Sequence, residues 1–591
     1  MAKFGIGARV IDLLGRQQVA GTPTAISELF KNAHDAYARN VEVDFYRAQD
    51  LFILRDDGVG MSREDFETRW LTAATDSKRE TGFIEPPATD PDQPPRPVMG
   101  EKGIGRLSIA VLGKQVLVLT RRKTLDNSAP LVASLLHWSV FSLPNISLGD
   151  LDIPLRELPG GTLPDAACIK DMIEEARANL SKLRPKTSPD AVDEILADLA
   201  MFNVDPAALA PTMIEGPDLR GDGHGTHFYI TPTHDALALD IDSGSEREKA
   251  TPMEKALLGF SNTMVPGHKA PPMATRFRDH GRNGLWRDLI ADEQFFTPVE
   301  FENADHRIVG QFDERGQFSG FLRVYGKEPT QIQIRWPDAE GRDTRCGPFK
   351  IDFAYVQGAQ ADSRLPPDLW GPMIEKLNRI GGLYIYRDGM RVLPYGDSDY
   401  DFLDIENRRT KKASYYFFSY RRMFGVIDIS RKQNSNLVEK AGREGFQENY
   451  AYKQFKNILT NFFIQLAAEF FREGGINVDE YEAQKKLLNQ AHKLLEKRQR
   501  QVAVRRRKFK SDLDEFFGQA NARGADAAVA GITDQLRRRL GRETPSSITL
   551  TELRQLESDA RLDCRGRCSL TYHQASGGRI DEGAVAAMGA L

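Results

Sequence analysis

Apolar and polar positions in the first part of the chain change between helical and strand-like spacing. Apolar side chains recur every three or four positions across residues 24–39, which predicts a helix. Residues 41–46 alternate between apolar and polar side chains and predict a strand, while 51–61 predict a buried strand that runs into a tight glycine turn. Further strands are predicted at 116–121 and 226–232. The pattern therefore predicts mixed α and β structure.

Two segments interrupt this pattern. Residues 84–97 contain six prolines and no apolar periodicity, so they predict a loop. Residues 165–210 are rich in alanine and have helical spacing, with Pro185 and Pro189 between two predicted helices. We interpret this second segment as an insertion.

Alternation returns between about 300 and 430, in stretches such as FLRVYG, KIDFAYV and GVIDIS, and predicts a second α/β domain. Residues 449–472 then predict a strongly apolar helix. After Gly474 and Gly475 the chain becomes charged and helical through about residue 517.

Length and composition limit the possible classes. A chain of 591 residues is too long for one hydrophobic core. Its 80 basic and 84 acidic side chains leave a net charge of −4, so attraction to nucleic acid or membrane requires a local patch. Four cysteines fit a reducing compartment. The chain has no secretory signal and no run of about 18 apolar residues, so we expect a cytoplasmic protein without a membrane span.

Cys564 and Cys568 form a C-x3-C pair near the end of the chain. A structural metal site needs about four ligands, and only His573 follows at a useful spacing. Two unpaired thiols are therefore the favoured interpretation.

The segment ELFKNAHDA places Glu28 and Asn32 four residues apart on the first predicted helix, so both side chains share one face. Asp35 follows on the same helix. A carboxylate beside an amide suits Mg2+, which prefers oxygen ligands, and the carboxylate could deprotonate an attacking water. The alternative is an amphipathic helix with an ordinary polar face, which this segment alone favours.

In the segment RDDGVGM, Asp56 ends a buried strand and is followed by Gly58 and Gly60. This order places a fixed acceptor beside backbone that a flat ring can approach closely. Asp56 would accept a hydrogen bond from an exocyclic amine such as that of adenine. Asp-Gly is also a common hairpin signal, so this motif alone favours a turn.

The segment MGEKGIGRLS has three glycines, Gly100, Gly103 and Gly105, directly before a predicted helix. Free amides at a helix N-terminus form an anion site, to which Lys102 and Arg106 would add charge. The order is not that of a Walker A loop, and no parallel βαβ unit surrounds it as in a Rossmann fold.

The order and spacing of these segments, together with Thr226 in the later GHGTHFYI, resemble the N, G1, G2 and G3 boxes of the GHKL superfamily of Bergerat-fold ATPases. That superfamily includes gyrase B, MutL, histidine kinases and a dimeric heat-shock chaperone. The resemblance covers residues 20–125 and 220–232. It implies an α/β sandwich that binds ATP and Mg2+ and acts as an ATP hydrolase.

The resemblance also implies a role for each matching residue. Glu28 matches the general base, and Asn32 matches the Mg2+ ligand. Asp56 matches the carboxylate that reads adenine, with Thr226 as the neighbouring hydroxyl. The other implied nucleotide-binding positions are Asp35, Gly58, Gly60, Met61, Gly100, Lys102, Gly103, Ile104, Gly105 and Arg106.

Two further features belong to this comparison with the superfamily. Its lid lies between G1 and G2, here residues 76–100. Asp57 departs from the pattern, since many relatives carry Asn at this position, and this puts the details of base or metal binding in question.

The resemblance implies a fold of class α+β with four regions. They are an ATP-binding domain at 1–235 with a helical insertion near 165–215, a linker or irregular region at 236–300, a transducer-like α/β domain at 300–474, and a helical, partly coiled-coil-like, basic region at 475–591.

In relatives, a transducer lysine or arginine reaches the γ-phosphate. Lys432, Lys440 and Arg443 are candidates here, with Lys432 favoured. The alternative for all three is a basic surface loop.

The charged helix after residue 475 has two notable patterns. Apolar residues recur at seven-residue spacing at Leu488, Leu495, Val502, Phe509 and Phe516. Arginines at 498 and 505 occupy the second seam position, so only half of a coiled-coil seam is present. The basic stretch 497–510 could contact DNA phosphates, although a solvated helix face is the favoured interpretation.

The resemblance is strongest to the MORC/MutL-like and chaperone-like branches. It implies a clamp in which ATP orders the lid and two copies form a homodimer. We expect action on DNA or in a defence or DNA-maintenance system, with a chaperone-like ATPase or a non-hydrolysing nucleotide sensor as alternatives. A histidine kinase is disfavoured because no histidine precedes the first motif, while His492 lies on a later helix.

Overall fold

The computed structural model describes most of the chain. The described residues are 6–72, 82–100, 105–243, 249–268, 270–291, 294–339, 341–412, 415–440, 442 and 444–523, with side chains as far as 515. Among the predicted features, Lys102, Gly103, Ile104, Arg443, Cys564, Cys568 and His573 lie outside them. The chain divides into two units, Met1–Asn489 and Gln490–Leu591, and each is described by itself.

The described residues form helices and strands in the following order along the chain. The helices are α1 (Arg9–Gly15), α2 (Gly21–Asp35), α3 (Arg63–Asp65), α4 (Ile109–Leu112), α5 (Ala166–Ser181), α6 (Pro189–Ala200), α7 (Pro206–Leu209), α8 (Asp235–Asp242), α9 (Pro252–Leu257), α10 (Pro298–Asn303), α11 (Pro367–Ile380), α12 (Ile405–Lys411), α13 (Tyr450–Phe470) and α14 (Asp479–Arg523).

The strands are β1 (Asn40–Tyr46), β2 (Leu51–Asp56), β3 (Phe83–Ile84), β4 (Arg96–Pro97), β5 (Gln115–Arg121), β6 (Leu131–His137), β7 (Leu155–Leu158), β8 (Gly225–Ile230), β9 (Ala274–His280), β10 (Trp286–Asp288), β11 (His306–Phe312), β12 (Phe318–Val324), β13 (Thr330–Ile334), β14 (Phe349–Tyr355), β15 (Gly382–Arg387), β16 (Met390–Arg391) and β17 (Met423–Ile429).

Eight strands form the first sheet, in the order β10-β9-β1-β2-β8-β5-β6-β7. All neighbours are antiparallel except β1 and β9. The apolar side chains of α2 share one buried cluster with those of the central strands. Residues 236–300, for which the sequence predicts a linker or irregular region, contain most of α8, all of α9, the strand β9 and the edge strand β10.

The two faces of this sheet carry different chemistry because side chains alternate along a strand. Val41 and Asp56 are paired in register and share one face. Glu42 and Arg55, the next pair, share the other face with Asp44. The second face is also covered, since the Arg55 guanidinium donates to backbone carbonyls of the segment 214–217.

Seven strands form a second mixed sheet, in the order β13-β12-β11-β14-β17-β15-β16, and its core is shared with α13. This sheet packs on the segment that follows α9. Arg391 Nη1 donates to the carbonyl of Leu258 at 2.7 Å, and the Tyr386 hydroxyl donates to the carbonyl of Gly259 at 2.7 Å. The predicted fold class, α+β with a second α/β region and a helical end, is confirmed.

Two predictions of local structure need correction. Pro189 does not lie between two helices but occupies the first turn of α6, where its fixed backbone torsion and missing N–H are tolerated. The helix predicted directly after the glycine loop is only a 3-10 turn, Gly105–Ser108, followed by the single turn of α4. Gly113 ends α4 with an extended backbone.

In the second unit, the described residues belong to the C-terminal part of α14. Leu495 and Val502, two positions of the predicted seam, are both 51% exposed. Arg505, Arg506 and Lys508 are exposed as well. Coiled-coil pairing therefore stays a prediction. Among the helices that the structure describes, none is long and apolar enough to cross a membrane.

Candidate nucleotide site

Helix α2 and the loop after residue 98 are in direct contact. The Asp35 carboxylate accepts hydrogen bonds from the backbone N–H groups of Met99 and Gly100, at 2.8 and 2.9 Å. A methyl group on the α-carbon of Gly100 would lie 3.2 Å from Asn32 Oδ1. Glycine at position 100 therefore lets the loop approach the polar face of the helix closely.

The same loop meets α2 again one turn earlier. A methyl group on the α-carbon of Gly105 would lie 3.1 Å from Glu28 Oε2. The other oxygen of this carboxylate, Oε1, accepts a hydrogen bond from Lys31 Nζ at 3.0 Å. Glu28 is 4% exposed, so the backbone of Gly105 helps to close the site around it.

Asn32 lies between these two contacts, and the described residues leave its amide nitrogen without a hydrogen-bond acceptor. Within the described part of the chain, Nδ2 of Asn32 is buried and has no hydrogen-bond partner. A buried polar atom without a partner costs free energy. Because Nδ2 is a donor, the unsatisfied group fits an acceptor on a ligand, such as a phosphate oxygen.

The glycine turn after β2 contacts the C-terminal end of α2. The backbone N–H of Val59 donates to the carbonyl of Ala36 at 2.8 Å. A methyl group at Gly58 would lie 2.8 Å from that carbonyl, and one at Gly60 would lie 1.9 Å from the carbonyl of Arg121. Gly60 also has a positive φ of 60°. Both positions therefore require glycine.

Asp56 is buried beside this turn, and the described residues place no cation against its carboxylate. Its carboxylate accepts hydrogen bonds from the backbone N–H groups of Gly58, at 2.9 Å, and Thr226. Burial, reinforced by the nearby charge of Asp57, raises the pKa of Asp56 to about 7. An additional hydrogen-bond donor in this pocket would favour the charged carboxylate.

Two threonine hydroxyl groups contact each other on the strands next to Asp56. Thr226 lies opposite Asp56 on β8, and its hydroxyl is 3.0 Å from that of Thr120 on β5. The Thr120 hydroxyl also accepts from the backbone N–H of Met61 at 3.0 Å. Thr120 and Lys31 are two site residues that the sequence motifs miss, because neither lies at a recognised box position.

Asp57, which the sequence marks as a departure, has a structural role. Its carboxylate accepts from the backbone N–H groups of Arg39 and Asn40 at 2.7 and 2.8 Å, and from Asn40 Nδ2 at 2.7 Å. These hydrogen bonds satisfy the backbone N–H groups at the start of β1. A second carboxylate at this position therefore holds the backbone together beside the pocket.

Arg106 is the described cation of the glycine loop. One of its guanidinium nitrogens, Nη2, donates to the carbonyl of Thr72, while Nε is buried without a hydrogen-bond partner in the described chain. Burial lowers the pKa of Arg106 to about 10. A desolvated guanidinium with donor capacity to spare suits an anion such as a phosphate.

The proline-rich segment is anchored to α2 rather than loose. Arg96 donates from Nη1 to the carbonyls of His34 and Ala38, at 3.1 and 2.9 Å, and its guanidinium lies 4.7 Å from the ring centre of Tyr37. The Tyr37 hydroxyl donates to the carbonyl of Ile84. Nothing in a proline-rich sequence predicts that one arginine would reach the end of a helix.

A glycine of the loop after β17 lies close to the backbone just before α2. A methyl group at Gly442 would lie 3.3 Å from the carbonyl of Gln18, just before α2. Lys432 is exposed in the turn that follows β17. Lys440, which lies two residues before Gly442, is exposed too, and the role of these lysines stays a prediction.

A separate cavity of about 240 Å³ lies on the opposite face of the sheet, against Arg55, His227 and Tyr229. Burial, reinforced by the charge of Arg55, lowers the pKa of His227 to about 3. This cavity does not include the predicted site residues. The candidate site is defined instead by Glu28, Asn32 and Asp56, which lie around α2 and the two glycine turns.

Comparison with known proteins agrees with this location. Residues 22–134 match the model of the family described as histidine kinase-, DNA gyrase B-, and HSP90-like ATPase. This segment contains Glu28, Asn32, Asp56 and the whole glycine loop. The match supports ATP binding by this part of the chain and confirms the predicted resemblance at the level of the superfamily. The branch within it stays a prediction.

Two other comparisons add little. No curated protein matches the sequence. A solved structure, "Crystal Structure of N terminal domain of a DNA repair protein", is similar over 78% of this chain and 98% of that chain, with 11% identity and a TM-score of 0.35. So low a score marks only a loose resemblance.

Proposed function

We propose that this protein binds ATP together with Mg2+ and hydrolyses it in the pocket between α2, the turn at residues 58–60 and the loop at residues 99–106. The observation that carries the proposal is the convergence of both glycine turns on α2. Gly105 meets Glu28, Gly100 meets Asn32 and Asp35, and the turn at 58–60 meets Ala36.

The adenine end of the site would lie at Asp56. Its carboxylate is buried, has no cationic partner in the described chain, and has a pKa raised to about 7. An exocyclic amine supplies the donor that this acceptor lacks. Gly58 and Gly60 would let the ring approach the backbone, with Met61 as an apolar wall and Thr226 as a second polar contact.

The phosphate end would lie along α2 and the glycine loop. Asn32 would hold Mg2+, which supplies positive charge against the phosphate oxygens. The amide oxygen of Asn32 would be the ligand, and Nδ2, which has no partner in the described chain, would donate to a phosphate oxygen. Arg106 would bind phosphate, and the loop positions Gly100 and Gly105 leave space against the helix. Asp35 would act by holding the loop, because its carboxylate binds the N–H groups of Met99 and Gly100.

Glu28 would be the general base. Its Oε2 atom faces the glycine loop, where the terminal phosphate would lie. A water held there would lose its proton to Oε2 as it attacks the phosphorus atom. Lys432, which is exposed in the turn after β17, would add positive charge against the γ-phosphate.

We further propose a clamp that closes as a homodimer on ATP binding and acts on DNA. The specific support is the exposed basic stretch 497–510 on α14, where Arg505, Arg506 and Lys508 face solvent and could replace counterions on a phosphate backbone. A chaperone-like ATPase and a non-hydrolysing sensor are the alternatives, and stimulation by an unfolded protein or tight binding without turnover would identify them.

The test compares wild-type protein with Glu28→Gln. We expect the variant to bind ATP with unchanged affinity and to release phosphate at least about 100-fold more slowly, because only the base is lost. Glu194→Gln, an exposed carboxylate on α6, is the matched control. Phosphate release should also require Mg2+. Equal turnover by Glu28→Gln and wild-type protein would remove Glu28 from this role, and duplex DNA added to the same assay tests the clamp.

A further inference from the structure

A buried lysine lies one turn along α2 from the proposed base. Lys31 is 6% exposed, and its Nζ atom lies 3.0 Å from Glu28 Oε1. Removing an ammonium group from water is costly unless a charge compensates it. Among the described side chains, Glu28 is the only carboxylate within ion-pair distance of Lys31.

The two oxygens of the Glu28 carboxylate have different surroundings. Oε1 accepts from Lys31, while Oε2 faces the α-carbon of Gly105, where an added methyl group would lie 3.1 Å away. Rotation of the carboxylate would break the contact with Lys31. The ion pair therefore helps to hold the plane of the carboxylate so that one of its oxygens faces the glycine loop.

We propose that Lys31 is a positioning residue that clamps Oε1 of Glu28 so that Oε2 is presented to the attacking water. The inference rests on the proposed hydrolysis. The water oxygen forms a bond to the γ-phosphorus, and the bond from that phosphorus to the β-γ bridging oxygen breaks. ADP leaves with the electron pair, and the water proton passes to Oε2.

Two other roles for Lys31 make different predictions. A lysine that binds phosphate would have to leave Glu28, and its loss would weaken the binding of ATP. If Lys31 only stabilises the fold, its loss would lower the free energy of unfolding, and any loss of turnover would be the same whether or not Glu28 can act as a base. If Lys31 positions Glu28, its loss should lower turnover without changing ATP affinity, and only in a protein that still has the Glu28 base.

The first measurement is the turnover of Lys31→Met, which keeps the length of the side chain but removes its charge. We expect kcat to fall about 10- to 100-fold, as for a reacting group that is misplaced, while the dissociation constant for ATP stays within about twofold. Lys31→Arg keeps a donor and should lose less turnover than Lys31→Met. Lys170→Met, at an exposed lysine on α5, should match wild-type protein.

The second measurement repeats the substitution in the Glu28→Gln background, with single-turnover kinetics and thermal unfolding for all variants. If Lys31 acts through Glu28, Lys31→Met should have no further effect on turnover there. This double variant also removes both buried charges, so it remains informative if Lys31→Met alone unfolds.

Three outcomes would overturn the inference. They are a Lys31→Met variant with wild-type kcat, an equal loss of turnover in both backgrounds, and a large loss of ATP affinity without loss of kcat. Turnover that depends on Glu28 but not on Lys31 overturns this inference alone. Turnover that does not depend on Glu28 overturns the proposed function as well.

Discussion

Asp44 and Asp56 lie on neighbouring strands and on opposite faces of the first sheet, and their surroundings differ sharply. Asp44 is fully buried and accepts from Arg278, Arg55 and His280. Although burial alone would raise its pKa, the hydrogen bonds from Arg278 and His280 hold the pKa of Asp44 below its usual value. Asp56 is 5% exposed, lacks a cation in the described chain, and has its pKa raised to about 7.

The surroundings of Asp44 suit a structural carboxylate, whereas those of Asp56 suit a carboxylate that binds a ligand. The protein itself supplies the counter-charges of Asp44, so a ligand would add nothing there. Asp56 is held by two backbone N–H groups and keeps unused acceptor capacity in a buried pocket. A shifted pKa in a carboxylate that has no cationic partner among the described residues is the pattern expected at functional sites. Substitutions on the two faces should therefore affect different properties.

The largest expected effect is on the structural face. Asp44→Asn leaves the buried Arg278 guanidinium without its main counter-charge, so the free energy of unfolding should fall by about 3–5 kcal/mol. Chemical denaturation measures this loss, with the exposed Asp152→Asn as the control. At a temperature where the variant is folded, ATP affinity should be unchanged. A loss below about 1 kcal/mol would show that the arginines are neutralised by other groups.

On the other face, Asp56→Asn should weaken ATP binding by about 30- to 100-fold, because a lost hydrogen bond to a charged acceptor is worth about 2–3 kcal/mol. The free energy of unfolding should not fall, since a buried neutral amide replaces a carboxylate that is costly to ionise. Calorimetric titration with ATP measures the affinity.

Asp57→Asn is the matched control for that experiment. Its carboxylate binds backbone N–H groups of Arg39 and Asn40 outside the pocket, so ATP affinity should be kept. If both substitutions weakened binding equally, the assignment of Asp56 as the reader of adenine would be wrong.

The sequence predicts the helices and strands around this pocket more accurately than the contacts between them. The predicted strand at 41–46 matches β1, and the buried strand and glycine turn predicted at 51–61 match β2 and the turn after it, because these patterns are local. The family resemblance assigns both Asp35 and Gly100 to the nucleotide site, but it does not predict that the Asp35 carboxylate binds the N–H groups of Met99 and Gly100.

Long-range contacts are the part that the sequence could not predict. The strand β9 joins the first sheet beside β1 although more than 200 residues separate them, and no local pattern specifies this pairing. The ion pair of Arg278 with Asp44 depends on that pairing. Likewise, Arg96 looks like a surface residue in a proline-rich loop, and its burial follows only from the way the loop folds onto α2.

The pH dependence of the two carboxylates should have opposite signs. Because the pKa of Asp56 is raised to about 7, the folded protein binds a proton there that the unfolded chain releases near pH 4. The contribution of Asp56 to stability is therefore greatest at low pH and is lost as the pH rises toward 7. The lowered pKa of Asp44 contributes stability that is present above pH 4 and is lost only in stronger acid.

ATP affinity should also depend on pH, because the amine donor of adenine favours the charged form of Asp56. Below pH 7 the affinity should fall by up to about tenfold per pH unit, and binding near pH 7 should release a proton. Titration calorimetry in buffers of different ionisation enthalpy counts that proton. Asp56→Asn should abolish the release, whereas proton release that persists in this variant would assign the titration to another group.

The smallest effect is expected at Thr226→Val, which removes the hydroxyl beside Asp56 and preserves the shape of the side chain. The Thr120 hydroxyl would lose one neighbour at 3.0 Å but keep its bonds to the carbonyl of Gly225 and the N–H of Met61. We expect ATP affinity to fall about fivefold, the equivalent of about 1 kcal/mol for one neutral hydrogen bond. Thr68→Val, at an exposed threonine outside the pocket, is the control. An unchanged affinity would mean that the hydroxyl pair serves only to join β5 to β8 and that Asp56 alone reads the base.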